Sequence, residues 1–188
     1  MNFDQGWRLR LAVLSTLVKE APKKPGRTAL MKFAYLLQTV RGVPLGYHFE
    51  LYNYGPYDSE LLSDLSQAGT LKAIKSEMVS YQSGYGYQYS ANDKGHSALC
   101  NKVAEQLAEF EDDIEWVLAE FGSSSASRLE LISTIIFAER EMQRKHQVRS
   151  KSELQCRVKR IKPHFTEETI AEAINELSQK KLISTTAA

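Results

Sequence analysis

Histidine and cysteine are the residues of this chain best suited to acid–base, nucleophilic or metal chemistry. The histidines are scattered along the sequence, at His48, His96, His146 and His164. No histidine lies four residues from another histidine, and we do not expect any of them to share a metal site with a cysteine. The chain also lacks a Gly-x-Ser-x-Gly elbow, a P-loop and a dinucleotide-binding glycine motif. The pattern therefore predicts a non-enzymatic protein without catalytic residues, metal or cofactor.

An enzyme of an unrecognised type would need a pocket that gathers groups such as His48, Tyr54 and Asp58. The acidic residues offer a different possibility, because four of them stand close together: Glu111, Asp112, Asp113 and Glu115. Such a group on a helix is typical of a solvated face. The alternative is a docking surface for a partner, rather than an active site.

Tyrosines form two clusters that could recognise a partner. The first contains Tyr47, Tyr52, Tyr54 and Tyr57, and the second contains Tyr81, Tyr85, Tyr87 and Tyr89. Aromatic side chains offer rigid amphipathic area for binding, but they also pair across strands within a core. We interpret the first cluster mainly as packing; the second is open to both interpretations. The first cluster supplies the predicted partner-binding residues, which are Tyr52, Tyr54, Gly55, Pro56, Tyr57 and Asp58.

Basic residues concentrate between positions 140 and 162, a segment with nine lysines and arginines and only two acidic residues, Glu141 and Glu153. They are Arg140, Arg144, Lys145, Arg149, Lys151, Arg157, Lys159, Arg160 and Lys162. Clustering of this kind suits phosphate contacts, although a solvated helix face has the same composition. A nucleic-acid interface, if present, is predicted to use Tyr85, Tyr87, Arg149, Lys151, Arg157, Lys159 and Arg160.

Hydrophobic spacing predicts the elements of the first half. Helices are expected over 7–20 and 27–42, the second of them ending at Gly42, and an aromatic strand is expected over 47–54. A third helix is expected from Gly55-Pro56 to Gly69, with Asp58 offering its carboxylate to the first amides. A β-hairpin then follows around "SGYG". This order predicts an α+β, mostly α fold with a winged-helix-like core, in which the hairpin is the wing.

The third helix would be the recognition helix of a winged-helix protein that binds DNA. Its sequence, "YDSELLSDLSQAG", carries three acidic residues and no lysine or arginine. Arg, Lys, Asn and Gln do most of the reading in the major groove. The composition therefore favours a winged-helix-like fold that does not read DNA through this helix.

The second half is predicted to be helical. Residues 99–122 keep an apolar spacing of three or four, which indicates one long amphipathic helix that could serve a homodimer or the protein's own core. Capping boxes are expected at Ser127 with Glu130 and at Ser150 with Glu153, and an N-cap at Thr166. The predicted organisation is a winged-helix-like domain over 1–98, the connecting helix over 99–122 and a helical region over 123–188. The alternative is that all three pack into one integrated domain.

Composition limits the environment and the partners. The chain has 188 residues, 43% of them hydrophobic, and a net charge of +1, so no global field indicates a nucleic-acid or membrane partner. No apolar run is long enough to span a membrane, and the N-terminal segment lacks the apolar region of a signal peptide. The two cysteines, Cys100 and Cys156, are expected to be reduced thiols. We therefore expect a cytoplasmic protein.

Two segments resemble a bacterial pattern. "LMKFAYLLQ" (30–38) and "LGYHFELYNYGPYDSELLSDL" (45–65) combine a Lys-x-x-Tyr-Leu helix, an aromatic strand and a Tyr-Gly-Pro before a helix. The chain resembles the YwgA-like proteins and the broader Panacea domain family of SocA-type antitoxins. The matching residues are Lys32, Tyr35, Leu36, Phe49, Leu51, Tyr52, Tyr54, Gly55 and Pro56. The likeness to the YwgA-like group is the closer one and extends into "LELISTIIFAE" and "KPHFTEETIAEAINEL".

The resemblance implies binding rather than catalysis, because Panacea-type antitoxins neutralise toxins by contact and one type hands its toxin to a protease. The chain departs from the Panacea pattern at Leu51, Tyr52 and Asn53, where an aromatic residue is common before the Tyr-Gly-Pro. We therefore expect a protein-binding module, antitoxin- or adaptor-like, in bacterial or phage defence or mobile-element biology. Its partner would be a toxin, a protease or the product of a neighbouring gene. The alternative is a DNA-binding transcriptional regulator of winged-helix type.

Overall fold

Two long helices open the chain, and their apolar stripes are buried. The computed structural model describes residues 3–81, 84–147 and 150–185. Helix α1 spans Phe3–Glu20 and α2 spans Arg27–Val40. Gly42 follows α2 with φ +75°, a left-handed conformation that suits glycine after the end of a helix. The predicted stop at Gly42 is confirmed.

The chain divides into two compact units, and its fold is α+β and mostly helical, as predicted. The first unit comprises Met1–Glu50 and Tyr57–Ser124, and the second comprises Leu51–Pro56 and Ser125–Ala188. The second unit is therefore discontinuous in sequence. The predicted boundary after residue 122 lies close to this division, but residues 99–122 belong to the first unit.

A small hairpin stands where the sequence predicts a strand over 47–54 and the first turn of a helix. Strand β1 is Glu50–Tyr52, and it pairs with β2, Gly55–Tyr57. The prediction for Pro56 is wrong, because this residue lies in β2; the fixed φ of proline fits an extended strand as well as a helix start. Helix α3 spans Ser59–Thr70, one residue beyond the predicted stop at Gly69.

The predicted hairpin around "SGYG" is present, and we call it the wing. It consists of β3, Ile74–Tyr81, and β4, Gly84–Ala91, in antiparallel register with Met78 opposite Tyr87. Its base is buried at Ile74 and Tyr89. The order of helices and hairpin is the order predicted for a winged-helix-like core. In the described residues, β1 pairs with β2 and does not join the wing.

The predicted long helix over 99–122 is wrong, because the segment is broken twice. It consists of α4 (Asp93–Cys100), a 3₁₀ turn (Asn101–Val103), α5 (Ala104–Ala108) and α6 (Glu111–Phe121). Val103 and Phe110 interrupt the helices with φ −136° and −117°. The apolar spacing continues across both breaks because α4, α5 and α6 all pack on α1. The apolar stripe that allowed a homodimer is therefore largely buried within the first unit, at Val103, Leu107, Ile114, Val117 and Phe121.

The helices of the second unit are α7 (Ala126–Arg144), α8 (Lys151–Ile161) and α9 (Glu167–Gln179). The N-caps predicted at Ser150 and Thr166 are confirmed, since their hydroxyls each accept a bond of 3.2 Å from the third helical amide. The N-cap predicted at Ser127 is wrong. Ser125 caps α7 instead, by accepting from the amide of Arg128 at 3.1 Å.

Candidate functional site

The two most exposed tyrosines of the first cluster, Tyr52 and Tyr54, flank Asn53 at the end of the small hairpin. Tyr52 is 62% exposed and Tyr54 is 67% exposed. We call residues 51–56 the tyrosine tip; all of them belong to the second unit. Two large aromatic side chains with this exposure, two residues apart at a turn, are a surface that a partner could bury.

Gly55 fixes the backbone of the tyrosine tip. Its φ is +86°, and a Cβ atom at this position would lie 3.0 Å from the Thr134 hydroxyl oxygen and 3.2 Å from that of Ser133. Both neighbours are buried on α7. Only glycine satisfies both the conformation and the close approach. The Gly-Pro therefore seats the tip on α7, and Pro56 is buried beside it.

A buried ion pair holds the tip from a second side. The Lys162 side chain is 3% exposed, and its ammonium lies 2.7 Å from a carboxylate oxygen of Glu130 and donates to the backbone carbonyl of Asn53. The Glu130 side chain is itself 9% exposed, and the exposed His164 ring stands 3.6 Å from the same oxygen. A buried charge needs such a partner and further hydrogen bonds. The ammonium thus links α7 to the turn between Tyr52 and Tyr54.

Asp58 has a structural role at the start of α3. One of its carboxylate oxygens accepts from the Glu60 amide at 2.7 Å, which confirms the predicted cap. The other accepts from the His48 amide at 2.6 Å. Asp58 and the half-buried Tyr57 belong to the first unit, whereas Tyr54 belongs to the second. Both carboxylate oxygens are engaged with backbone amides, an arrangement that stabilises the loop rather than performs acid–base chemistry.

The wing carries the second group of exposed aromatic residues. Tyr85 is 80% exposed, Met78 67% and Tyr87 37%, and the strand register places them on one face. The Arg27 guanidinium lies 4.0 Å from the centre of the Tyr87 ring and donates to the Tyr89 hydroxyl at 3.3 Å. The base of the tyrosine row is therefore fixed, and its outer end is exposed.

Several of the residues predicted to contact nucleic acid form hydrogen bonds to other groups of the second unit. Lys159 donates to the carbonyls of Pro163 and Phe165 at 3.0 and 2.7 Å. Arg157 donates to Gln147 at 3.0 Å, and Lys151 donates to Asn175 at 2.8 Å. Arg160 is exposed. These bonds give the basic residues a role in closing loops and joining helices. Arg149 lies outside the described residues.

An acidic residue of α3 is buried in a polar cluster. Asp64 is 1% exposed and accepts from the Tyr47 hydroxyl and from Arg10 Nε, each at 2.8 Å. Burial raises the pKa of Asp64, while the bonds from Tyr47 and Arg10 oppose that rise. Burial and then the Asp64 carboxylate raise the pKa of Tyr47 well above its usual range. This cluster stabilises the packing of α1 on α3 and presents no group for DNA reading.

The sequence did not lead us to predict that a histidine and a cysteine of α4 lie together. His96 and Cys100 lie four residues apart, which puts them on one face of α4, and this spacing was the available signal. The His96 Nδ1 atom is 3.0 Å from the Ser15 hydroxyl oxygen, and the Cys100 sulfur is 3.6 and 3.7 Å from the two ring nitrogens. A sulfur at nearly equal distance from both nitrogens lies along the lone pair of neither. The geometry therefore does not suit proton transfer between them.

The environment of the pair keeps both groups neutral. Burial, followed by the charge of Lys19, lowers the pKa of His96. Burial also raises the pKa of Cys100, so its reactive thiolate is disfavoured. Both cysteines are free thiols, as predicted. Across the described residues, no group of three or more His, Cys, Asp or Glu side chains is arranged to hold a metal ion.

Helices α1 to α9, over the residues that are described, include none with the length and apolarity required to cross a membrane. Comparison of the sequence with models of known protein families gives no match, and no characterised protein matches it significantly. The likeness to the YwgA-like and Panacea pattern, which is sharpest in residues 30–65, therefore stays a hypothesis based on the sequence segments that carry it.

Proposed function

We propose that this protein is a non-enzymatic protein-binding module, antitoxin- or adaptor-like, that recognises one protein partner through the tyrosine tip. The observation that carries the proposal is the combination of exposure and restraint at residues 51–56. Tyr52 and Tyr54 are strongly exposed, while the backbone between and after them is held by Lys162 and Gly55.

Restraint of the backbone favours binding because it reduces the entropy that a loop loses in a complex. Tyrosine is one of the residues that most often dominate protein interfaces, since its ring buries a large area and its hydroxyl keeps a polar contact. A turn that displays two tyrosines from a fixed backbone therefore suits a hot spot. A toxin, a protease or the product of a neighbouring gene is the class of partner that the resemblance of residues 30–65 suggests.

Nucleic-acid binding receives less support from the same structure. Lys151, Arg157 and Lys159 bond to groups of the second unit, and α3 contributes the buried Asp64. The exposed tyrosines of the wing remain available for stacking on bases. We therefore keep the regulator as the competing hypothesis, and the decisive experiment reports on both.

The experiment is affinity purification of the tagged protein from its own host, with the eluate divided for mass spectrometry and nucleic-acid detection. Three versions are compared: the unmodified chain, Tyr52→Ala with Tyr54→Ala, and Tyr85→Ala as a matched control on the wing. We expect one stoichiometric protein that is lost with the double variant and retained with the control.

If Tyr85→Ala lost the protein partner to the same extent as the double variant, the tyrosine tip would not be the specific binding surface. Nuclease-sensitive nucleic acid without a protein partner would favour the regulator, and its binding should then weaken steeply with salt. Circular dichroism of each variant verifies that the exposed substitutions leave the fold intact.

A further inference from the structure

A cavity of about 710 Å³ lies within the first unit, between α1, α4 and α6. Each helix presents a pair of polar residues four positions apart, which places the members of a pair on one face. The pairs are Thr16 with Glu20, His96 with Cys100, and Glu111 with Glu115. The volume lies within the range of pockets that bind small organic molecules, about 300–1,000 Å³.

One wall of the cavity is apolar and belongs to the core. Leu107, Ile114 and Leu118 line it and are each 7% exposed or less. These side chains come from α5 and α6, which the breaks at Val103 and Phe110 bring against α1. A ligand would need an apolar body to fill this part of the cavity.

The polar wall offers hydrogen-bond acceptors. The hydroxyls of Ser15 and Thr16 both donate to the carbonyl of Ala12, each at 2.9 Å. Because the Ser15 proton is used there, its oxygen accepts from Nδ1–H of His96 at 3.0 Å. The neutral ring then carries its lone pair on Nε2, and His96 is 8% exposed. A donor on the ligand would satisfy this nitrogen and the Thr16 oxygen.

The charge around the cavity has one predominant sign. Glu20, Glu111 and Glu115 are exposed carboxylates, and the described lining residues include no lysine or arginine. Two basic residues lie nearby. The charge of Lys19 acts on both His96 and Cys100, and the Lys23 ammonium donates to the carbonyl of the lining residue Ser123 at 3.2 Å. The three lining carboxylates outnumber these two ammonium groups, neither of which belongs to the lining, so the balance favours a cation, and the acceptors on the polar wall favour a donor.

We propose that the cavity between α1, α4 and α6 binds a small organic amine, with its apolar body against Leu107, Ile114 and Leu118 and its ammonium toward the carboxylates. The site is separate from the tyrosine tip, which lies in the other unit. It requires no chemistry from Cys100, which is a wall residue. The imidazole of His96 accepts a hydrogen bond from the ammonium.

The two cysteines make the test possible without altering the protein. Cys100 lines the cavity, whereas Cys156 is exposed on α8. Methyl methanethiosulfonate, a small neutral thiol reagent, modifies both, and mass spectrometry gives the two rates. Phenethylamine, phenethyl alcohol and hydrocinnamate share a phenyl body and differ in charge, and each is added at increasing millimolar concentration. We expect phenethylamine to slow the modification of Cys100 alone, and to do so more effectively than the alcohol or the carboxylate.

Variants identify the groups responsible for the selectivity. Glu111→Gln or Glu115→Gln should weaken protection by phenethylamine by about two- to fivefold, the usual effect of one exposed charge pair. Asp112→Asn is the matched control, because Asp112 is exposed in the same turn of α6 and does not line the cavity. Ala119→Phe places a ring in the cavity from an exposed position and should abolish protection.

Equal protection by all three probes would overturn the assignment of an amine, and protection by none would overturn the site itself. Protection of Cys156 as well as Cys100 would indicate a general effect on the thiol reagent and would also count against the site. Isothermal titration calorimetry with phenethylamine and the unmodified protein provides a second readout, independent of the cysteines.

Discussion

Replacing Lys162 by methionine tests the buried link between α7 and the tyrosine tip. The Lys162 side chain is 3% exposed, and the substitution keeps most of its length but removes the ammonium that lies 2.7 Å from the Glu130 carboxylate. Removal of one partner from a buried ion pair leaves the other charge without compensation and costs about 3–5 kcal/mol. The hydrogen bond to the Asn53 carbonyl is lost as well.

The double variant, Lys162→Met with Glu130→Leu, removes the unpaired charge and should recover a large part of that free energy. Such replacements of buried ion pairs by apolar groups are often neutral or stabilising. Lys151→Met is the control, because Lys151 is exposed on α8 and bonds only one amide oxygen in the described structure. It should change the free energy of unfolding by less than about 0.5 kcal/mol.

Urea unfolding is followed by two signals. Both tryptophans, Trp7 and Trp116, belong to the first unit, so their fluorescence reports on that unit, whereas circular dichroism reports on all helices. Hydrogen exchange at residues 53–55 measures the tip directly. A cost of Lys162→Met below about 1 kcal/mol, or no recovery in the double variant, would refute the role assigned to this pair.

Three further predictions use matched pairs within the chain. Gly55→Ala should lower the free energy of unfolding in urea more than Gly46→Ala does. Both residues have positive φ, which costs a residue with a Cβ about 1–2 kcal/mol, but of the two only Gly55 would bring that Cβ within 4 Å of neighbouring atoms. Equal losses would contradict the packing argument. Burial holds the pKa of His96 below its ordinary 6.5, so the unfolded chain binds the proton first and the free energy of unfolding falls as the pH drops below about 6.5. His96→Gln should reduce this pH dependence when unfolding is measured from pH 7.5 to 5. An unchanged pH dependence would assign it to another group. Cys100 should react more slowly with methyl methanethiosulfonate than Cys156, because burial raises its pKa and limits access, and the two rates should converge in urea.

Local patterns were sufficient to predict many elements of the fold. The caps at Asp58, Ser150 and Thr166 depend on a side chain and an amide two or three residues away, so the sequence displays them directly. The wing follows from the two alternating arms on either side of "SGYG". The same logic was insufficient at α7, because "GSSSAS" offers several serines and the structure uses Ser125.

Features that depend on distant contacts were not predictable from spacing. The breaks after Cys100 and before Glu111 preserve the apolar periodicity, so the sequence resembles one continuous helix. The pairing of Glu130 with Lys162, and the contact of Gly55 with α7, join segments far apart in the chain. The His96–Cys100 pair is different: its four-residue spacing was visible, and only the cavity around it required the structure.

The discontinuity of the second unit also affects when the tyrosine tip is completed during synthesis. Residues 51–56 are made early, but the α7 surface under Gly55 and the Lys162 ammonium are made only after residues 57–124. A nascent or truncated chain that ends before α7 contains both tyrosines without either restraint, and one that ends between α7 and Lys162 still lacks the ammonium that holds the Asn53 carbonyl. The ribosome therefore releases a restrained tip only with a chain that extends beyond Lys162, and a partner that selects the restrained form would discriminate against incomplete copies.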